Sequence, residues 1–148
     1  MKKFLSYLFL IYCAILAEIL FVGRKPELSI PLREYFISRA NVVPFRTIMR
    51  YVNFFLTRMD KDSFFLALRN IGGNFLLFMP MGFFLPVFFS TERKFGIALP
   101  TVFLMVFAVE ILQGVFRVGV PDIDDLIVNM MGAYIGMLVS KKLKRPEY

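Results

Sequence analysis

Glu110, Gln113 and Arg117 close one apolar run at helical spacing, and Asp122, Asp124, Asp125 and Asn129 open the next. These residue types carry definite chemistry. A carboxylate held in an apolar setting can act as general acid or base. An arginine grips phosphate, and amides fix a ligand by hydrogen bonds. An ionisable residue inside a membrane segment is costly, so it marks a functional site by default. The stripe from Glu110 to Arg117 would stand about 10 Å tall on a helix, roughly the depth of a lipid headgroup layer.

Much else is excluded. The chain has no histidine and one cysteine, Cys13. Ser-His-Asp and Cys-His nucleophiles and His-ligated metals are therefore absent, and no internal disulfide can form. No cofactor or resident metal is expected. The formal net charge is +7, but the basic residues sit between and beside the apolar runs. That pattern suits lipid headgroups and lacks the interleaved aromatics of a nucleic-acid surface, so no nucleic-acid partner is expected.

The elements that must position these groups are membrane helices. A hydrophobic fraction of 58%, a mean hydropathy of +0.67 and 19 Phe residues in 148 exceed what a soluble domain carries. Residues 1–148 read as one all-α membrane domain, a four-helix transmembrane bundle with spans over about 4–22, 64–89, 97–116 and 123–140. The first run reads as a retained span, because no cleavage site precedes Gly23. Asp62 or Ser63 reads as the cap of the second span, and Pro80 and Pro86 predict kinks or an early end within it.

Between the first two spans, Phe45, Ile48, Met49, Val52, Phe55, Leu56 and Met59 share one face over 45–59. They predict an amphipathic helix in the headgroup plane, with Arg46 and Arg50 available to phosphate. The same face could equally pack on the bundle. Asn70 and Asn74 lie one turn apart in the second span. Asp122 reads as an N-cap with Asp125 at the N3 position of a capping box. Gly132 and Gly136 form a G-x-x-x-G, a route to close helix approach and to a homo-oligomer.

With alternating spans, the polar groups of the second, third and fourth collect at one end, opposite the termini. Arg117 is expected to pair there with Glu110 or an aspartate. Lys2, Lys3, Arg93, Lys94, Lys141, Lys142, Lys144 and Arg145 share the terminal side, and the 23–63 segment opposite holds as many basic residues. Because the former sit in short loops and tails, where the positive-inside rule is strongest, a cytoplasmic location is expected for both termini.

Three stretches carry a family resemblance. They are Asn41-Val42-Val43-Pro44-Phe45, the run Asn70 to Gly82 with Asn74 and Pro80, and Glu110-x-x-Gln113 with Arg117, followed by Asp122-x-Asp124-Asp125-x-x-x-Asn129-x-x-Gly132. In order and spacing these residues resemble the VanZ-like family of small bacterial membrane proteins. The resemblance implies a multi-pass protein of the cell membrane and a cell-envelope role, in a family whose namesake is an accessory determinant of teicoplanin resistance.

Two functions follow as expectations. A binding protein would hold an anionic lipid, a lipid-linked wall precursor or a glycopeptide tail in an outer-leaflet polar pocket. Asn70, Asn74, Glu110, Gln113, Arg117, Asp122, Asp124, Asp125 and Asn129 would line it, with Arg46 and Arg50 on the headgroup. An enzyme acting on a lipid headgroup would instead use Glu110 as acid or base, and the three aspartates could offer oxygen ligands to a divalent cation. A transporter would need more spans than one copy supplies.

Overall fold

The computed structural model describes residues 2–89 and 94–143. The basic loop residues Thr91, Glu92 and Arg93 and the tail residues Lys144 and Arg145 lie outside that set. Helix α1 (Lys2–Ala17) runs on through a π-helical turn, Glu18–Val22, to complete a first span, Lys3–Val22. Two short elements follow, α2 (Leu32–Arg39) and α3 (Arg46–Arg58). Helix α4 (Lys61–Ala67) passes through a second π-helical turn, Leu68–Gly72, into α5 (Gly73–Phe88), and together they make the second span. Helices α6 (Lys94–Val115) and α7 (Ile123–Leu143) carry the third and fourth.

The chain is thus an all-α membrane bundle with four helices long and apolar enough to cross a bilayer. The second span starts earlier than hydropathy places it, because its cap is Asp60 rather than Asp62 or Ser63. The Asp60 carboxylate accepts the Ser63 N–H at 2.7 Å and is held below the usual carboxylate range by that bond. Nor do Pro80 and Pro86 end the helix, since α5 continues through both to Phe88. The Tyr12 hydroxyl donates to the Leu77 carbonyl in the turn before Pro80 at 2.6 Å and ties α1 to this part of the helix.

The closest seam joins α5 and α7, which run parallel. A Cβ on Gly132 would fall 2.0 Å from the Phe75 carbonyl oxygen, and one on Gly136 would fall 1.9 Å from that of Met79. From the other side, a Cβ on Gly82 would meet the Ala133 oxygen at 1.8 Å. The G-x-x-x-G therefore makes a close approach within the chain, on α5. Phe78, Val102, Val106, Ala133 and Met137 fill the core around this seam. Helix α1 crosses antiparallel to α5, with Phe9 ringed by Phe84 and Phe88.

Helices α2 and α3 form an arm across one end of the bundle. Ile48, Val52 and Phe55 are half-buried, and Phe55 meets the Phe64 ring of α4 at 5.6 Å. Met49, Leu56 and Met59 stay exposed. The amphipathic face packs in part on the bundle, as one of the two readings has it, and leaves the rest of its apolar surface exposed.

Candidate functional site

The arm is fixed to the bundle by the first turn of α7. Asp124 is 1% exposed, and its carboxylate accepts backbone N–H groups of Phe45, Thr47 (2.6 Å) and Ile48 (3.1 Å). These are the unsatisfied donors at the start of α3, where a helix most favours negative charge. Phe45, the residue before the helix, takes a left-handed φ of 64° and offers no side-chain cap of its own. An acid from a distant helix thus caps α3 in trans.

Asp122 completes the latch. One carboxylate oxygen accepts from the Asn41 amide at 2.8 Å and from the Asp124 N–H at 2.8 Å, and the other accepts from the Thr47 hydroxyl at 2.6 Å. Backbone bonds tie the same strip, from Asn41 N–H to the Pro121 carbonyl and from Ile123 N–H to the Asn41 carbonyl. Asn41 also closes an Asx turn onto the Val43 N–H at 3.2 Å.

Asp122 is the N-cap of α7, as its position suggests. The reciprocal half of the capping box is not made by Asp125. The Asp122 N–H points to Glu110 of α6, at 3.3 Å, while the other Glu110 oxygen accepts from Asn129 at 3.4 Å. Glu110 and Asn129 are 6% and 2% exposed, and the Asn129 Oδ1 has no partner among the described residues. This pair forms a buried layer beneath Asp122.

Gln113 and Arg117 serve elsewhere. Gln113 donates to the Leu20 carbonyl at 3.2 Å, joining α6 to the end of the first span. Arg117, expected against Glu110 or an aspartate, donates instead to the Ile30 carbonyl at 2.8 Å. Its backbone sits at φ 55°, where the chain leaves α6, and that turn aims the side chain at the 23–31 segment. The cation whose charge reaches Glu110 and Asp125 is Arg24, just beyond the first span.

Above the latch lies a polar cleft of about 390 Å³. Arg39, Arg46, Arg50 and Tyr51 line it from the arm, Asn70 from the second π-helical turn, and Asp122 and Asp125 from α7. Asn70 also bonds back to the Leu66 carbonyl at 2.7 Å, and Asn74 reaches Asp125. Burial and the nearby Asp125 charge push the Tyr51 phenol up, so it remains a hydrogen-bond donor at neutral pH. Ala40, Asn41 and Asp122 form a common border with a second, apolar slot of about 200 Å³, walled by Phe107, Ile111, Leu126 and the Glu110 stem.

The residues expected in one pocket therefore divide by depth. Arg46, Arg50, Asn70, Asp122 and Asp125 meet at the cleft, with Asn74 behind Asp125. Asp124 belongs to the latch, Glu110 and Asn129 to the layer below, and Gln113 and Arg117 to ties with the first span and its loop. The oxygens of Asp124 and Asp122 are committed to the arm, and no acidic cluster suited to a metal occurs among the described residues. Sequence reasoning missed Arg39, Asn41, Thr47 and Tyr51. Asn41 alone left a signal, as a turn-forming residue ahead of Val-Val-Pro.

A family model described as VanZ/LLP1 matches residues 8–144, nearly the whole chain. No curated protein and no solved structure matches.

Proposed function

The chain belongs to the VanZ/LLP1 family, and from that membership we propose that it binds a phosphate-bearing amphiphile at one membrane face. The observation that carries this reading is a polar cleft lined by Arg39, Arg46 and Arg50 that borders an apolar slot. Guanidinium groups suit phosphate oxygens, and the slot suits the first carbons of a hydrocarbon chain. Such a ligand is an anionic membrane lipid or a lipid-linked wall precursor. With both termini cytoplasmic, as the basic residues favour, the cleft opens to the outer leaflet, where a glycopeptide tail or wall precursor would also be met.

Native mass spectrometry of the full chain in neutral detergent tests the reading. Wild type is expected to retain a phosphate-bearing lipid over a neutral diacylglycerol. The double variant Arg46→Ala, Arg50→Ala should lose about tenfold or more of it at unchanged melting temperature. Equal retention by both proteins sinks the reading.

The competing reading is an enzyme that modifies the headgroup through Glu110. The position of Glu110, below Asp122 and outside the polar lining of the cleft, favours binding. Glu110→Gln keeps an acceptor for the Asp122 N–H, so lipid retention is expected to stay within about threefold of wild type. A turned-over headgroup in wild type, lost in Glu110→Gln, would reverse the choice.

A further inference from the structure

The cleft holds charge of both signs without joining them. Arg46 and Arg50 come from α3, while Asp122 and Asp125 come from the start of α7. Among the described residues the one ion pair is Arg39 with Glu27, at 2.7 Å, and neither Arg46 nor Arg50 stands within that range of either aspartate. The two acids also differ. Both Asp122 oxygens are taken up by Asn41, Thr47 and the Asp124 N–H. Asp125, half-buried, has the neutral Asn74 amide beside it and opens to the cleft without an ion pair, and Arg24, the cation whose charge reaches it, does not line the cleft.

Tyr51 marks where the two signs approach. It lies within electrostatic reach of both signs, of Asp125 and Asp122 and of Arg50 and Arg69. A ligand bearing only negative charge would satisfy the arginines but leave a partly desolvated carboxylate facing another anion, which is unfavourable. A ligand that also carries an ammonium group would give every charged group in the cleft a partner.

We infer that the ligand's headgroup is a zwitterion, with its phosphate on Arg46 and Arg50 and a primary ammonium on Asp125. This rests on the amphiphile reading above but replaces its anionic lipid with an amine-bearing phospholipid or a precursor of the same chemistry, whose headgroup carries both signs. The Tyr51 hydroxyl and Asn70 line the same cleft and would be available to the linking atoms.

The test pairs dioleoyl phosphatidylethanolamine with its N-acetylated form, which keeps phosphate and chains but loses the ammonium. Dioleoylglycerol is the phosphate-free control, and native mass spectrometry of the full chain reads all three. Wild type is expected to retain the amine form about tenfold over the acetylated one, and Asp125→Asn to level the two. Equal or reversed retention in wild type overturns the inference, while leaving the amphiphile reading intact if dioleoylglycerol still binds poorly. Dioleoylglycerol retained as well as both phospholipids overturns both.

Because the wild-type comparison needs no variant, the inference stays falsifiable even if Asp125→Asn folds poorly. An amine preference that survives in folded Asp125→Asn removes Asp125 as the acceptor. Soluble O-phosphoethanolamine separates a lipid from a free phosphoamine. Failure to displace the lipid at equal concentration supports the inference, and full displacement overturns the lipid assignment.

Discussion

Asp124→Ala is expected to free the arm while leaving the four spans assembled. The substitution removes one buried carboxylate and strands the N–H groups of Phe45, Thr47 and Ile48 at once. Hydrogen bonds to a charged acceptor are worth ~1.5–3 kcal/mol each, and losing three coupled ones should cost ~3 kcal/mol or more. Hydrogen exchange over α3 should accelerate by about a hundredfold, with α5 and α7 unchanged. Asp124→Asn keeps an acceptor without the charge and should fall between. Because Arg46, Arg50 and Tyr51 ride on α3, lipid retention should fall with the latch. Unchanged exchange over α3 in Asp124→Ala would show that the arm is held by something other than this cap.

Gly132→Ala and Gly136→Ala are expected to rank with Gly82→Ala among the most damaging single methyl additions in the chain. Each would place a Cβ within 2.0 Å of a carbonyl oxygen of α5, and the facing atom is backbone, so no rotamer change relieves it. Overpacking typically costs ~1–3 kcal/mol, and these contacts belong at or above its upper end. Gly73 and Gly96 are the controls, because nothing stands within 4 Å of a Cβ at either. There, alanine should be neutral or stabilising by up to ~1 kcal/mol through lower backbone entropy in the unfolded chain. Melting of all four variants in detergent checks this. Equal melting of Gly132→Ala and Gly73→Ala would contradict the α5–α7 seam.

The bundle and its polar end were legible because hydropathy and helical period are local signals. The four spans, the amphipathic α3 and the glycines at 132 and 136 all declare themselves within a few turns of sequence. The latch did not. Thr47 and Asp122 are 75 residues apart, and nothing near Thr47 says that its partner lies at the far end of the third span.

Nor could adjacent acids be told apart. Asp122, Asp124 and Asp125 lie within one turn, yet one caps its own helix, one caps another, and one faces the cleft. Helix phase alone separates them, and only once the neighbours are placed. Arg117 misled because its i, i+7 spacing from Glu110 assumes a helix that continues to it. Helix α6 stops at Val115, and the left-handed backbone at Arg117 turns the side chain away. The π-helical turns at Glu18–Val22 and Leu68–Gly72 have no residue signature at all.

The arm has a further consequence, in the mechanics of the bilayer. Helices α2 and α3 add to the bundle at one end, and Met49, Leu56 and Met59 leave apolar surface exposed there. With that surface in the headgroup layer, the protein would take up more area in one leaflet than in the other and act as a wedge. Asymmetric insertion at headgroup depth favours a membrane that bends away from the crowded side. The same latch that shapes the cleft would then couple it to curvature: lateral pressure in that leaflet would bear on α3, and through Asp124 on the start of α7.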